Sequence, residues 1–354
     1  MTTPSPAQQL ASDISSLQTK IGSLQGSVRL SQVRDAVEDL QTKITNAPQR
    51  IAALRAKGFV FEAKLEEQAA SLAKQWAGVH ASITQQIAVQ AANLQTSIRP
   101  IESQMSQLAT AARNPAAAHP LLSTIQSNVR MLEDKVSAAE KTIDGMYNQV
   151  ESQFQKFESR LTEIEYLLTN LGEASFQLLP TEGGIAAVKA VWCKTGKEQK
   201  DDPEGVLFLT DQRLLFEQKE EVATKKVLFI ATAKQKMQSL QWEVPVASLD
   251  AVTTSKQGML KNEDHIEVRF QPGAALEMAH LHIWRDCEAW QALLNRAKSR
   301  EFDQDRAVPI DQAAVDKVKA APTQCPSCGA VMKNVVLRGQ ESITCEYCGA
   351  VIRL

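Results

Sequence analysis

Between Leu122 and Leu171 apolar side chains recur at steps of three and four residues, with no proline to interrupt them. Leu122, Ile125, Val129, Leu132, Val136, Ala139, Ile143, Met146 and Val150 keep the alternation strictly. Phe154, Phe157, Leu161, Ile164, Leu168 and Leu171 resume it after one four-four step, a stutter that rotates the stripe around the helix. A helix of about 50 residues is about 75 Å long, too long to bury its stripe in a small globule. The stripe therefore demands long partner helices, from the same chain or from another copy.

The preceding sequence supplies such partners. Leu10, Ile14, Leu17, Ile21, Leu24 and Val28 form one run, continued by Val33, Val37, Leu40 and Ile44 after a slip near Leu30. Pro48 lacks an N–H and crowds the turn before it, so a break is expected near 46–48. Trp76, Val79, Ile83, Ile87, Leu94, Ile98, Ile101, Met105 and Leu108 form the next run, which Pro100 kinks without ending. The stretch 113–120, with Pro115 and Pro120, reads as the hairpin turn into the third run. The expectation is a helical coiled coil over 7–175, preceded by a disordered N-terminus at 1–6. It serves as a self-contained spacer or as a stalk for homo-oligomers or partners. Residues 1–180 carry 16 basic and 17 acidic side chains, so no basic membrane-binding face stands out.

At 354 residues the chain has room for two or three domains. Its formal net charge of -2 gives no global attraction to nucleic acid or anionic membranes. No apolar run reaches the length of a transmembrane helix, and the N-terminus lacks the pattern of a signal peptide. The expected setting is cytoplasmic, with a peripheral membrane location as the variant.

After Pro180-Thr-Glu-Gly-Gly184 the apolar period changes from helical to two, as strands require. Val188–Trp192, Val206–Leu209, Leu214–Phe216, Val227–Ile230, Leu240–Val246, Ala251–Val252, Ile266–Phe270 and Ala279–Ile283 are candidate strand segments, with Thr210-Asp-Gln-Arg213 as a hairpin turn. Asp286 then caps a helix that carries Trp290, Leu293, Leu294 and Ala297 on one face. The stretch Gly205-Val-Leu-Phe-Leu-Thr-Asp-Gln-Arg-Leu-Leu-Phe216 resembles the second and third strands of GRAM and bacterial PH-like domains, and Val244–Val252 resembles a later strand entry of that family. The resemblance covers 181–300. It implies a β-barrel plugged by a C-terminal helix and a module that binds lipid phosphate or protein without catalysis. Lys194, Lys197 and Lys200 in the first loop are offset at once by Asp201, Asp202 and Glu204, so a solvated loop is the favoured reading.

His280 and His282 share one strand face, but no third ligand is apparent, so they read as an ordinary exposed pair. Cys287 falls on the apolar face of the helix as packing. Cys193 ends a strand with no His or Lys to activate it. No phosphate loop, nucleophile elbow or acid/base pair is evident, so the chain is not expected to be an enzyme.

Past a linker at 301–324 lies the strongest chemical pattern. Cys325-Pro-Ser-Cys-Gly-Ala330 is echoed by Cys345-Glu-Tyr-Cys-Gly-Ala350, with 16 residues between Cys328 and Cys345. Two residues between thiolates let one turn present both sulfurs to one ion, and the glycines let the backbone fold beneath it. Residues 325–354 resemble a zinc ribbon, with Cys325, Cys328, Cys345 and Cys348 as ligands of one structural Zn²⁺. Four thiolates leave no open position for catalysis, and rubredoxin-like iron is the rival ion.

The predicted protein is multidomain α + β: a long coiled coil, a PH/GRAM-like barrel with its helix, and a small zinc ribbon. The expected role is a non-enzymatic scaffold or adaptor that recognises protein partners. The alternatives are a nucleic-acid-associated zinc-ribbon protein and a peripheral membrane tether. The ribbon has only Lys333, Arg338 and Arg353 against Glu341 and Glu346, a poor basic stripe for nucleic acid.

Overall fold

A computed structural model of the chain describes residues 5–227, 230–258, 262–333 and 335–354. The chain divides into two compact units, Met1–Pro48 with Glu67–Glu158, and Gln49–Glu66 with Ser159–Leu354.

The first unit is built from helices α1 (Pro6–Ser27), α2 (Ser31–Ala56), α3 (Leu65–Ala111) and α4 (Pro115–Glu173), the last three running beyond it. Ser5 caps α1 by accepting from the Gln8 N–H while the Gln8 side chain returns a bond to Ser5 N. Order thus begins inside the stretch expected to be disordered, while residues 1–4 lie outside the described residues. Gln25 Nε2 donates to Glu102 Oε1 at 2.6 Å, and Trp76 Nε1 donates to Gln41 Oε1 at 2.5 Å. Asn128 Nδ2 donates to Gln104 Oε1 at 2.9 Å. The pairings run in opposite senses along successive passes, so the helices fold back within one chain. Their stripes meet as an intramolecular bundle.

Two expected turns fall elsewhere. Pro48 lies inside an unbroken α2, because Ile44 and Ala47 stay buried on the same face up to it and Ile51 and Leu54 carry the stripe on. The burial of that stripe outweighs one lost helical hydrogen bond. The break comes instead at 28–30, where Leu30 takes a left-handed φ of 51°. The connection from α3 to α4 is only Ala112–Asn114, and Pro115 opens α4 at a position that needs no N–H. Pro120 is therefore helical. The stripe of α4 also shifts: Tyr147 is buried where Met146 was expected, and its ring meets Trp76 edge-on at 6.0 Å. The stutter thus falls earlier than the residue pattern suggests.

The second unit centres on one antiparallel sheet of seven strands. These are β1 (Gly184–Trp192), β2 (Glu204–Thr210), β3 (Arg213–Val227), β4 (Ile230–Pro245), β5 (Leu249–Gln257), β6 (Glu263–Phe270) and β7 (Met278–Ile283), in the order β4-β3-β2-β1-β7-β6-β5. Seven strands and then a helix follow the expected element order, but the sheet is open. Among the described residues β4 and β5 are its two edges and do not pair, so the barrel expectation is corrected. The segment expected as a separate strand at 227–230 is divided between two others: Val227 ends β3 and pairs with Ile230 at the start of β4. Leu228 and Phe229 lie outside the described residues. Two long paired strands therefore stand where three short ones were expected.

β2 is buried on both faces from Gly205 to Thr210, as a central strand must be. A Cβ on Gly205 would sit 1.9 Å from the Glu217 carbonyl oxygen, so only glycine lets β3 approach there. Helix α5 (Cys287–Lys298) begins at Asp286, whose carboxylate accepts from the Ala289 N–H at 2.8 Å. Its buried face is Cys287, Trp290, Leu294 and Ala297, close to the predicted stripe.

The segment 57–64, read as coiled coil, is an irregular strap of this unit. Phe59 and Phe61 are buried, and Arg55 donates to the carbonyls of Phe59 and Glu62 at 3.1 and 2.8 Å. The segment 301–324, read as a linker, holds a short helical turn at Glu301–Gln304 and helix α6 (Gln312–Lys319). Phe302 meets Phe61 edge-on at 5.9 Å, and Arg306 lies 4.9 Å over the Phe61 ring. Aromatic burial of this kind ties the segment down.

Candidate metal centre

The ribbon places its four cysteines together. Each half is a tight turn of one design. The Gly329 N–H donates to the Cys325 carbonyl at 2.8 Å, and the Gly349 N–H donates to the Cys345 carbonyl at 2.9 Å. Both glycines have left-handed φ, 76° and 72°, which a residue with a Cβ rarely adopts. Strands β8 (Ser342–Thr344) and β9 (Val351–Arg353) pair beside the second turn. Ile343 and Ile352 complete a core whose other buried members are Cys325 and Cys345. So small a core cannot hold a fold alone.

The sulfurs of Cys325 and Cys348 lie 3.7 Å apart, as do those of Cys328 and Cys345. Four sulfurs each about 2.3 Å from a tetrahedral Zn²⁺ would be about 3.8 Å apart. The donor set and its spacing therefore fit an ion of zinc's size and softness, with every position taken by protein. Against the desolvation that raises it, backbone N–H groups of Cys328 and Ser327 draw the Cys325 thiol down to about 6. The Ala330 N–H lowers Cys328, but hydrogen bonding to the neighbouring sulfurs raises it to about 12. A cation shared by the four sulfurs would take the place of those S–H bonds.

The ribbon does not hang free. The turn at Leu337–Gln340 sits on the Thr210–Arg213 turn between β2 and β3. Gln212 Oε1 accepts from the Arg338 N–H at 2.5 Å, and Gln212 Nε2 donates to the Arg338 carbonyl at 3.1 Å. Asp211, whose side chain is 2% exposed, pairs with the Arg338 guanidinium and with Arg306 at 2.6 Å. Gly339, at φ 82°, passes so close to Pro180 that a Cβ would lie 2.7 Å from Pro180 Cδ. The same turn is braced from below. Arg213 and Glu182 form a buried two-point pair with distances of 2.9 and 2.5 Å, and Thr210 Oγ1 donates to Glu182 at 2.6 Å. The Thr-Asp-Gln-Arg stretch reads from sequence as a hairpin turn alone; its docking role was missed.

No family model matches the sequence, and no curated protein matches it. Solved structures give loose overlaps. The C-terminal domain of an unknown protein from Leishmania infantum aligns at 19% identity over 33% of this chain and 84% of that one, with a TM-score of 0.20. The DH/PH domains of p115-RhoGEF align at 12% identity over 84% of this chain and 95% of that one, with a TM-score of 0.23. The DH/PH domains of PDZ-RhoGEF, in complex with GTP-gamma-S activated RhoA, align at 14% identity over 84% and 96%, also with a TM-score of 0.23. Overlaps this loose say nothing of activity. Function has to be read from the residues of this chain.

His280, His282 and Cys193 differ from the sequence expectation. His280 and His282 are buried, not exposed, and His265 of the adjacent strand β6 lies with them. His265 Nδ1 is 3.1 Å from His280 Nε2, and the ring of His282 stacks on His265 with centroids 4.7 Å apart. Cys193, expected to stand without a histidine, offers its sulfur within 4.8 Å of both His265 and His280 nitrogens. Burial pushes His265 and His280 below the ordinary imidazole value, and it pushes the Cys193 thiol up to about 11. Sequence reading missed His265 because it is 15 residues from His280 and only strand pairing joins them. Cys287 is buried on α5 as expected.

Proposed function

We propose that the chain is a non-enzymatic scaffold whose ribbon, closed around a structural Zn²⁺ by Cys325, Cys328, Cys345 and Cys348, presents a protein-binding surface. The observation that carries this reading is the ribbon's posture. Its Arg338 tip is fixed in the Asp211–Gln212 turn, while Val331, Tyr347 and Val351 remain 58, 62 and 68% exposed. Large apolar side chains on a segment with almost no core to spare are better accounted for by a partner than by folding. The full sulfur set leaves no coordination position for a substrate, which supports a structural ion. No helix among the described residues is long and apolar enough to cross a membrane. The helical bundle would serve as a spacer, and a cytoplasmic setting suits the reduced thiols.

The test is affinity capture from nuclease-treated lysate with the full chain and with a Tyr347→Ser/Val351→Ser variant. A defined protein set retained by the wild type and lost by the variant supports the reading. Protected nucleic acid or acidic lipid in the eluate, independent of the substitutions, replaces it with a nucleic-acid or membrane role. A turnover assay that consumes a specific substrate would overturn the non-enzymatic part.

A further inference from the structure

The sheet carries a second group of metal-ligating side chains, unrelated to the ribbon in sequence. On β6 and β7, Ile266, Val268, Leu281 and Ile283 fill one face, so His265, His280 and His282 project from the other. That second face would ordinarily be solvated, yet His265 is 1% exposed and His280 and His282 are each 9% exposed. The cover comes from the β1–β2 loop, where Glu198 reaches His282 Nδ1 at 2.6 Å, and from Trp284, stacked on His282 with centroids 4.1 Å apart. Cys193 joins from the end of β1, its N–H held by the His280 carbonyl at 2.8 Å.

We propose that Cys193, His265 and His280 form a second binding site for a divalent transition-metal cation of the zinc class, with its fourth position left to solvent or to the Glu198 carboxylate. Three features carry it. First, the donors converge: the sulfur and both imidazole nitrogens lie within 4.8 Å of one another. The His265–His280 nitrogen separation of 3.1 Å is close to the roughly 3.3 Å expected of two nitrogens on one tetrahedral Zn²⁺. Second, His265 Nε2 is buried without a hydrogen-bond partner among the described residues. A cation on Nδ1 fixes the proton on Nε2, which faces the Glu263 carboxylate at 3.9 Å, and a small movement of that half-exposed side chain would complete the bond. Carboxylates behind ligating histidines are the usual second layer of such sites. Third, the Glu198–His282 pair stands beside His265 as a further group of three candidate ligands, so an entering ion meets an acidic, partly exposed residue first. Three protein ligands with one open position would make this site exchangeable where the ribbon's is closed.

The inference does not rest on the scaffold reading. The full chain, stripped with a chelator and refilled with Zn²⁺, is expected to hold two ions, one of them surviving Cys345→Ser. Cys193→Ser and His280→Asn each remove that one and leave the ribbon's. X-ray absorption on the loaded wild type reads the same question without any substitution: a mixed sulfur and nitrogen shell is expected. A single ion that Cys345→Ser abolishes, a shell of sulfur alone, or two ions retained by both variants would overturn the proposal. A single ion that Cys345→Ser spares, in a mixed shell, would keep this site and reject the ribbon's.

Discussion

The ribbon and the histidine face of the sheet are two answers to one problem, how to bring soft donors together. In the ribbon the backbone does it: two tight turns of identical pattern each present a pair of sulfurs, the first closed by a bridge between Gln324 and Val331 and the second by the pairing of β8 with β9. On the sheet the donors come from three strands, β1, β7 and β6, and no two adjacent residues announce them. A local device leaves a written signature, whereas a device assembled by strand register does not. The ribbon's buried core is only Cys325, Ile343, Cys345 and Ile352, while the histidine face sits on a sheet with a large hydrophobic core in which Leu207, Leu214, Ile266 and Leu281 are fully buried.

The largest expected effect tests that asymmetry directly. Cys345→Ser removes one of four sulfurs, and with it most of the roughly 10–16 kcal/mol that metal binding supplies to small zinc modules. Protection of the Ile343 and Ile352 amides should be lost in hydrogen exchange while that of Ile266 and Leu281 persists. Equal loss in both places would break the comparison.

Asp211→Ala comes next. It leaves Arg306 and Arg338, 6% and 13% exposed, without their shared carboxylate. A buried pair broken from one side costs about 3–5 kcal/mol. Denaturant unfolding should show that loss, and limited proteolysis should cut the ribbon from the sheet without loss of its ion. If the ion leaves as well, the docking turn is part of the metal site and not a clamp outside it.

Asp286→Ala acts on the sheet unit alone. It removes the cap of α5, whose carboxylate holds the Ala289 N–H, and should cost about 1 kcal/mol in chemical denaturation with no change in metal content. Tyr347→Ser is the smallest change. Its side chain is 62% exposed, so stability should stay within about 0.5 kcal/mol while partner capture falls. A large destabilisation would show that Tyr347 packs within the fold.

The periodic elements and the local cysteine pattern were legible in the residues alone. Helical stripes from Leu10 to Leu171, strand alternation after Gly184, the Asp286 cap and the four cysteines all depend on neighbours within a few residues, where chain geometry fixes which side chains meet. Breaks were legible only where a single residue imposes them. Pro48 does not, because burial of Ile44, Ala47, Ile51 and Leu54 on one stripe outweighs its missing hydrogen bond. Tertiary structure alone decided the rest. It left the sheet open, turned Phe59, Phe61 and the segment 301–324 into packed strap and brace, and seated Arg338 in the Asp211–Gln212 turn. It also set His265 against His280 and Cys193. Each of these joins residues far apart along the chain, and strand register and side-chain packing, which no local pattern encodes, choose their partners.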